Sequence, residues 1–130
     1  MRLSLIPVLA LMAFHTASWA NPPSPEEILQ MIQGKWSTSH FEYEVRGSDV
    51  YMIKTNSNLH TNGMKIAEGL VYKNTRTQST TQYRYVALPT CHYSAPNWAS
   101  QPCESHITYV PSTGKIILSV ASLPAERINK

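Results

Sequence analysis

"HFEYEVRGSDVYMI", His40 to Ile53, carries two short runs of alternating character around a glycine. In its first half Phe41, Tyr43 and Val45 alternate with His40, Glu42, Glu44 and Arg46. Successive side chains of an extended chain point to opposite faces, so this period of two makes one face apolar and the other charged. Gly47-Ser48-Asp49 then carries a turn signal, and Val50-Tyr51-Met52-Ile53 begins a second strand, which predicts a hairpin.

The same alternation continues downstream. A segment around Met64 to Ala67 follows Asn62-Gly63, a strong hairpin dipeptide. Gly69 to Tyr72 reads as its continuation past a bulge or as a further strand, ended by Lys73-Asn74. Thr80 to Leu88 carries Tyr83, Tyr85 and Ala87 on one face and Gln82, Arg84 and Val86 on the other, and Pro89 stops it. Ile107 to Val110 and Lys115 to Ala121 bracket the turn Pro111-Ser112-Thr113-Gly114. The expectation is mainly β: a small antiparallel meander β-barrel of about six to eight strands.

Upstream the pattern differs. Ser24-Pro25-Glu26-Glu27 combines a serine N-cap, proline at the first helical position and glutamate three residues after the cap. Ile28, Leu29 and Ile32 share a face, so one short N-terminal helix is expected from Pro25 to Gln33, with Gly34 as its stop. Before it, Arg2, an apolar run from Leu3 to Phe14 and small residues at Ser18 and Ala20 have the form of a signal peptide, residues 1–20. The run is well short of the roughly 20 residues that cross a bilayer as a helix. The expected organisation is a signal peptide over 1–20, an extended leader over 21–24 and a single domain over 25–130, exported to the periplasm or secreted. Without Arg2, ten Lys and Arg face eight Asp and Glu, scattered along the chain, which gives no footprint for nucleic acid.

A helix followed by Gly34-Lys35-Trp36 and an antiparallel meander resembles the opening of lipocalins and related calycin barrels. In that family a Gly-x-Trp marks the first strand, the tryptophan plugs the closed end, and an arginine after the last strand packs over it. The resemblance implies that Trp36 is this plug and that Arg127 is its partner.

"TCHYSAPNWASQPCES", Thr90 to Ser105, holds both cysteines. In an exported chain the pair Cys91 and Cys103 is expected as a structural disulfide. Cys91-His92 and Cys103-x-x-His106 offer metal-ligand spacing, but the disulfide consumes both thiolates, so neither metal nor cofactor is expected. A stapled loop bearing Tyr93 and Trp98 suits recognition, because a stiff aromatic contact loses little entropy on docking.

The acids are dispersed, Glu42 and Glu44 sit on the wet face, and no nucleophile-elbow, zincin or phosphate-loop motif occurs. The sequence therefore leads to a non-enzymatic exported binding protein, with two readings. In the first, Trp36, Phe41, Tyr43, Tyr83 and Tyr85 line or plug an interior that takes a small apolar or aromatic ligand. In the second, the 91–103 loop, through Tyr93 and Trp98, grips an envelope protein as an inhibitor or immunity protein does. The first needs a void of roughly 300 Å³ or more, whereas the second works with a solid core.

Overall fold

The computed structural model describes residues 22–56, 59–75, 81–94, 99–121 and 123–128. The expected signal peptide, Thr80 and Trp98 lie outside these residues. Among the described residues one helix, α1 (Pro25–Met31), precedes eleven strands. These are β1 (Gly34–Ser37), β2 (Phe41–Arg46), β3 (Asp49–Thr55), β4 (Lys65–Glu68), β5 (Lys73–Asn74), β6 (Tyr83–Ala87), β7 (Thr90–Cys91), β8 (Gln101–Pro102), β9 (Ser105–Val110), β10 (Lys115–Val120) and β11 (Leu123–Arg127). Among the described residues no helix is long and apolar enough to cross a membrane.

The capping box forms as its residues dictate. The Ser24 hydroxyl accepts from the Glu27 N–H at 3.1 Å, and Glu27 Oε1 accepts from the Ser24 N–H at 2.8 Å, which satisfies two donors that a helix start leaves orphaned. The helix ends at Met31, short of the expected Gln33. Gly34 then enters β1 directly at φ +116°, a backbone conformation that L side chains rarely adopt.

All strands join one antiparallel sheet in the order β5-β6-β9-β10-β11-β1-β2-β3-β4-β7-β8. The first and last strands pair, Trp36 opposite Arg127 and Ser37 opposite Glu126, so the sheet curls until the two ends of the domain meet. The result is a half-barrel. Tyr43 stands opposite Trp36 on one side and Met52 on the other, so the alternation in the opening stretch turns Tyr43, Val45, Val50 and Met52 inward.

Eleven strands replace the six to eight expected. Three extended runs are each broken in two: β4 from β5 at Gly69 to Tyr72, β6 from β7 at Leu88-Pro89, and β8 from β9 at Cys103-Glu104. Pro89 has no N–H for the ladder, yet its carbonyl accepts from the Cys103 N–H at 3.0 Å, so the second and third breaks face each other. The sequence also conceals β11. Leu123 to Arg127 lies beyond the last expected strand, Lys115 to Ala121, yet Pro124 sits opposite Ser119 as one rung of the β10–β11 hairpin. Arg127 consequently ends the last strand rather than following it.

Ile28 and Ile32 of the helical segment are fully buried and belong to the same core as Trp36, Tyr43, Tyr85, Leu70, Ile107 and Leu118. Each such isoleucine contributes on the order of 2 kcal/mol of apolar burial, which holds the helix over one end of the curled sheet. Polar atoms at this end are spent on the helix and its leader. Trp36 Nε1 donates to the Ile32 carbonyl at 2.8 Å, and Tyr85 Oη donates to the Pro23 carbonyl at 2.7 Å.

Candidate functional site

The helix covers one end of the curled sheet, and an aromatic pocket lies at the other end of β2. There Phe41 packs on Tyr43 with ring centroids 6.1 Å apart. Phe41, Tyr43, His60, Cys91, Tyr93 and Val120 wall a pocket of about 40 Å³. Four further chain segments meet β2 in it. The 59–64 turn supplies His60, β4 supplies Ile66, the disulfide region supplies Cys91 and Tyr93, and the β10–β11 hairpin supplies Val120.

The disulfide Cys91–Cys103 is formed, with Cα atoms 5.8 Å apart, and fixes the base of the loop. Backbone bonds extend this anchoring. The His92 N–H donates to the Ile66 carbonyl at 2.9 Å, and the Ser94 N–H donates to the Leu59 carbonyl at 2.7 Å. His60 then lies against Tyr93, ring centroids 5.3 Å apart, and its burial lowers its pKa below the ordinary imidazole value, since the charged form would lose solvent.

Two buried tyrosine hydroxyls of the interior differ sharply in their partners. Ser105 Oγ donates its one proton to the Ser119 carbonyl at 2.9 Å, so the 2.6 Å contact with Tyr72 must have Tyr72 Oη as donor. The Tyr43 hydroxyl is also buried, and among the described residues it has no hydrogen-bond partner. Burial away from any partner raises the Tyr43 pKa far above the phenol value, and burial raises Tyr72 to about 12.

The five aromatics expected to line a ligand site are thus divided. Phe41 and Tyr43 face the pocket, Trp36 and Tyr85 serve the helix end, and Tyr83 is half-buried at the margin of the core. Tyr93 joins the pocket. Two wider clefts of about 340 and 480 Å³ open outside, where the β10–β11 ladder stops at Leu118 opposite Ala125 while both strands run on. Among the described residues no cluster of three His, Cys, Asp or Glu could hold a metal. The histidines of the cysteine region contact carboxylates instead, His92 with Glu68 and His106 with Glu104 at 2.8 Å.

One arrangement was not legible in the sequence. On the outer face His92 Nδ1 lies 2.6 Å from Ser100 Oγ, and His92 Nε2 lies 3.1 Å from Glu68 Oε1. Glu68 also pairs with Lys65 at 3.6 Å. The three residues are 24 and eight positions apart along the chain and share no local motif, so only the strand pairing gathers them. Of the residues facing the pocket, His60, Ile66, Val120 and Ala121 were not among the expected site residues. The place of His60 in a polar turn gave no hint that the turn folds over Tyr93.

Comparison with known protein families, characterised proteins and solved structures returned no match.

Proposed function

We propose that this chain is an exported, lipocalin-like barrel that binds another protein of the cell envelope through the end carrying the disulfide loop, in the manner of an inhibitor or immunity protein. The barrel reading takes each broken run as one bent strand, which leaves eight in meander order with first and last paired. Arg127 stacked over Trp36 supports the calycin likeness.

The observation that carries the protein-binding reading is the filled interior. Trp36, Tyr43 and Tyr85 are fully buried, and the pocket beside Tyr43 measures about 40 Å³ against the roughly 300 Å³ of a small-molecule site. A pocket of that size takes one small side chain of a partner. Around it the disulfide, Tyr93 and His60 form a stiff rim, so docking orders little that is not ordered already. The unpartnered Tyr43 hydroxyl supports a second reading, a small apolar ligand with one hydrogen-bonding atom that widens the pocket on entry.

The test sets the two side by side. The mature protein, its Tyr93→Ala and its Trp98→Ala variants are immobilised and exposed to envelope extract, and the wild type is titrated calorimetrically with fatty acids, haem and sterols. The protein-binding reading requires a partner retained by the wild type and lost from at least one variant, with no saturable heat from the ligands. Equal recovery of every partner by all three proteins, or stoichiometric ligand binding that changes Trp36 fluorescence, would overturn it.

A further inference from the structure

The Ser100, His92 and Glu68 cluster carries an inference independent of the binding role. A carboxylate only accepts, so the 3.1 Å contact to Glu68 puts the proton of a neutral His92 on Nε2. Nδ1 is then the free acceptor, and the 2.6 Å contact makes Ser100 the donor to it. This is the proton arrangement of a nucleophilic hydroxyl held by a general base that is oriented by an acid.

The scaffold under it is rigid. Thr90 pairs with Pro102 and Cys91 with Gln101, so one step further along the same register His92 stands opposite Ser100. On the other side Glu68 pairs with Thr90, which shares the outward face with His92. The disulfide at Cys91 and Cys103 locks the ladder immediately behind both residues.

The same outward face carries an apolar patch. Leu88, Thr90 and His92 alternate with the buried Ala87, Pro89 and Cys91. Leu88 is 68% exposed and Val71 69%, the two most exposed large hydrophobics among the described residues. Val71 and Leu88 both lie in the facing breaks of their strands, between the Glu68–Thr90 rung and the Lys73–Val86 rung. The patch begins four residues from His92, about 13 Å along an extended strand.

We propose that Ser100 is a nucleophile toward acyl esters, with His92 as its general base, Glu68 as the positioning residue, and Val71 and Leu88 as the surface that receives the acyl chain. Ser100 Oγ forms a bond to the ester carbonyl carbon while its proton passes to His92 Nδ1. The carbon–oxygen bond to the alcohol breaks, and the alcohol leaves with that proton. Water then attacks the acyl-serine, His92 again takes and returns the proton, and a carboxylic acid departs from regenerated Ser100. The aromatic rim around Tyr93 is separate from this face, so loss of one activity does not entail loss of the other.

The experiment treats the oxidised mature protein with a fluorophosphonate probe and with p-nitrophenyl octanoate. The wild type should give a single phosphonyl adduct that maps to Ser100, and a burst of p-nitrophenolate that is larger with octanoate than with acetate. Ser100→Ala should abolish both adduct and burst, and His92→Gln should slow the burst at least ~100-fold, the usual range for a lost general base. Glu68→Gln should move the pH profile of the burst, a readout that loss of a structural contact would leave in place. Far-UV circular dichroism and an intact disulfide establish that each variant is folded, and labelling of the wild type needs no variant. Label that maps elsewhere, or persists in Ser100→Ala, or a burst unchanged in His92→Gln, overturns the proposal.

Discussion

The guanidinium of Arg127 lies 4.5 Å from the centroid of the Trp36 ring, while its Nη1 donates to the Gln33 carbonyl at 2.8 Å and its Nη2 to the Met31 carbonyl. One side chain at the end of β11 therefore covers the plug of β1 and caps the helix, whose last turn contains no basic residue of its own. A planar fork satisfies two helix-end carbonyls and stacks at once, which an ammonium does not. Arg127→Ala should cost about 1–2 kcal/mol and lower the melting temperature by about 5–10 °C, with Arg127→Lys recovering less than half. Differential scanning calorimetry reads both, and an unchanged melting temperature in the alanine variant would sink the idea.

The disulfide closes a loop with a sequence separation of 12 and should contribute on the order of 3 kcal/mol, mainly by restricting the unfolded chain. Cys91→Ser with Cys103→Ser is expected to lower the urea midpoint accordingly, and added reductant should do the same to the wild type. A reductant-insensitive wild type would show that the native state gains nothing from the bond.

Removing a hydroxyl should have opposite effects at two tyrosines. The Tyr43 hydroxyl is buried without a described partner, so Tyr43→Phe relieves a desolvation cost and should raise stability by about 1 kcal/mol. Tyr72→Phe deletes the bond to Ser105 and should lower stability by a similar amount. Urea unfolding of the two variants checks the signs, and a destabilised Tyr43→Phe would mean that the hydroxyl has a partner in solution.

Tyrosine burial also sets the alkaline limit. The folded pKa values of Tyr43 and Tyr72 are raised above 10, the latter to about 12, because burial opposes the phenolate. The stabilisation is complete below pH 10 and is lost as pH rises, since the unfolded chain releases these protons first. Between pH 10 and 12 each of the two should reduce the unfolding free energy by up to about 1.4 kcal/mol per pH unit. Tyr72→Phe should make the fall shallower in a pH series of urea midpoints.

The periodic parts of this molecule were open to inspection in the sequence and the broken parts were not. Phe41 to Val45 shows its inward face plainly because every second residue obeys one rule, and the Ser24 to Glu27 box is a local hydrogen-bond exchange that the four residues specify alone. Pro89 breaks a ladder whose carbonyl side carries on, and Pro124 occupies a rung of a strand that the expected set lacked. The Trp36 and Arg127 partnership was suggested by a family pattern, and pairing of the first and last strands gives it a physical basis. Ser100 and His60 had no such signal, since each acquires its neighbours through contacts made between loops and strands distant in sequence.

His60 supplies the acid limit. Burial lowers its folded pKa below the ordinary 6.5, with a smaller opposing effect from a hydrogen bond to the His92 backbone. A base whose folded pKa is depressed takes up its proton more readily in the unfolded or opened state. The contribution of its packing is therefore complete above about pH 6.5 and is lost as pH falls through the folded value. Protonation should thus release the 59–64 turn from Tyr93 before the rest of the sheet responds, because the ring is one of the walls of the pocket. Imidazole proton resonances followed from pH 8 to 4 should give His60 an apparent pKa below 6.5, with Tyr93 ring shifts moving in step. His60→Gln should remove that coupled transition and leave the Tyr93 resonances flat over the same range. A His60 pKa at or above 6.5 would mean that the turn is open to solvent and that the rim of the pocket is not assembled.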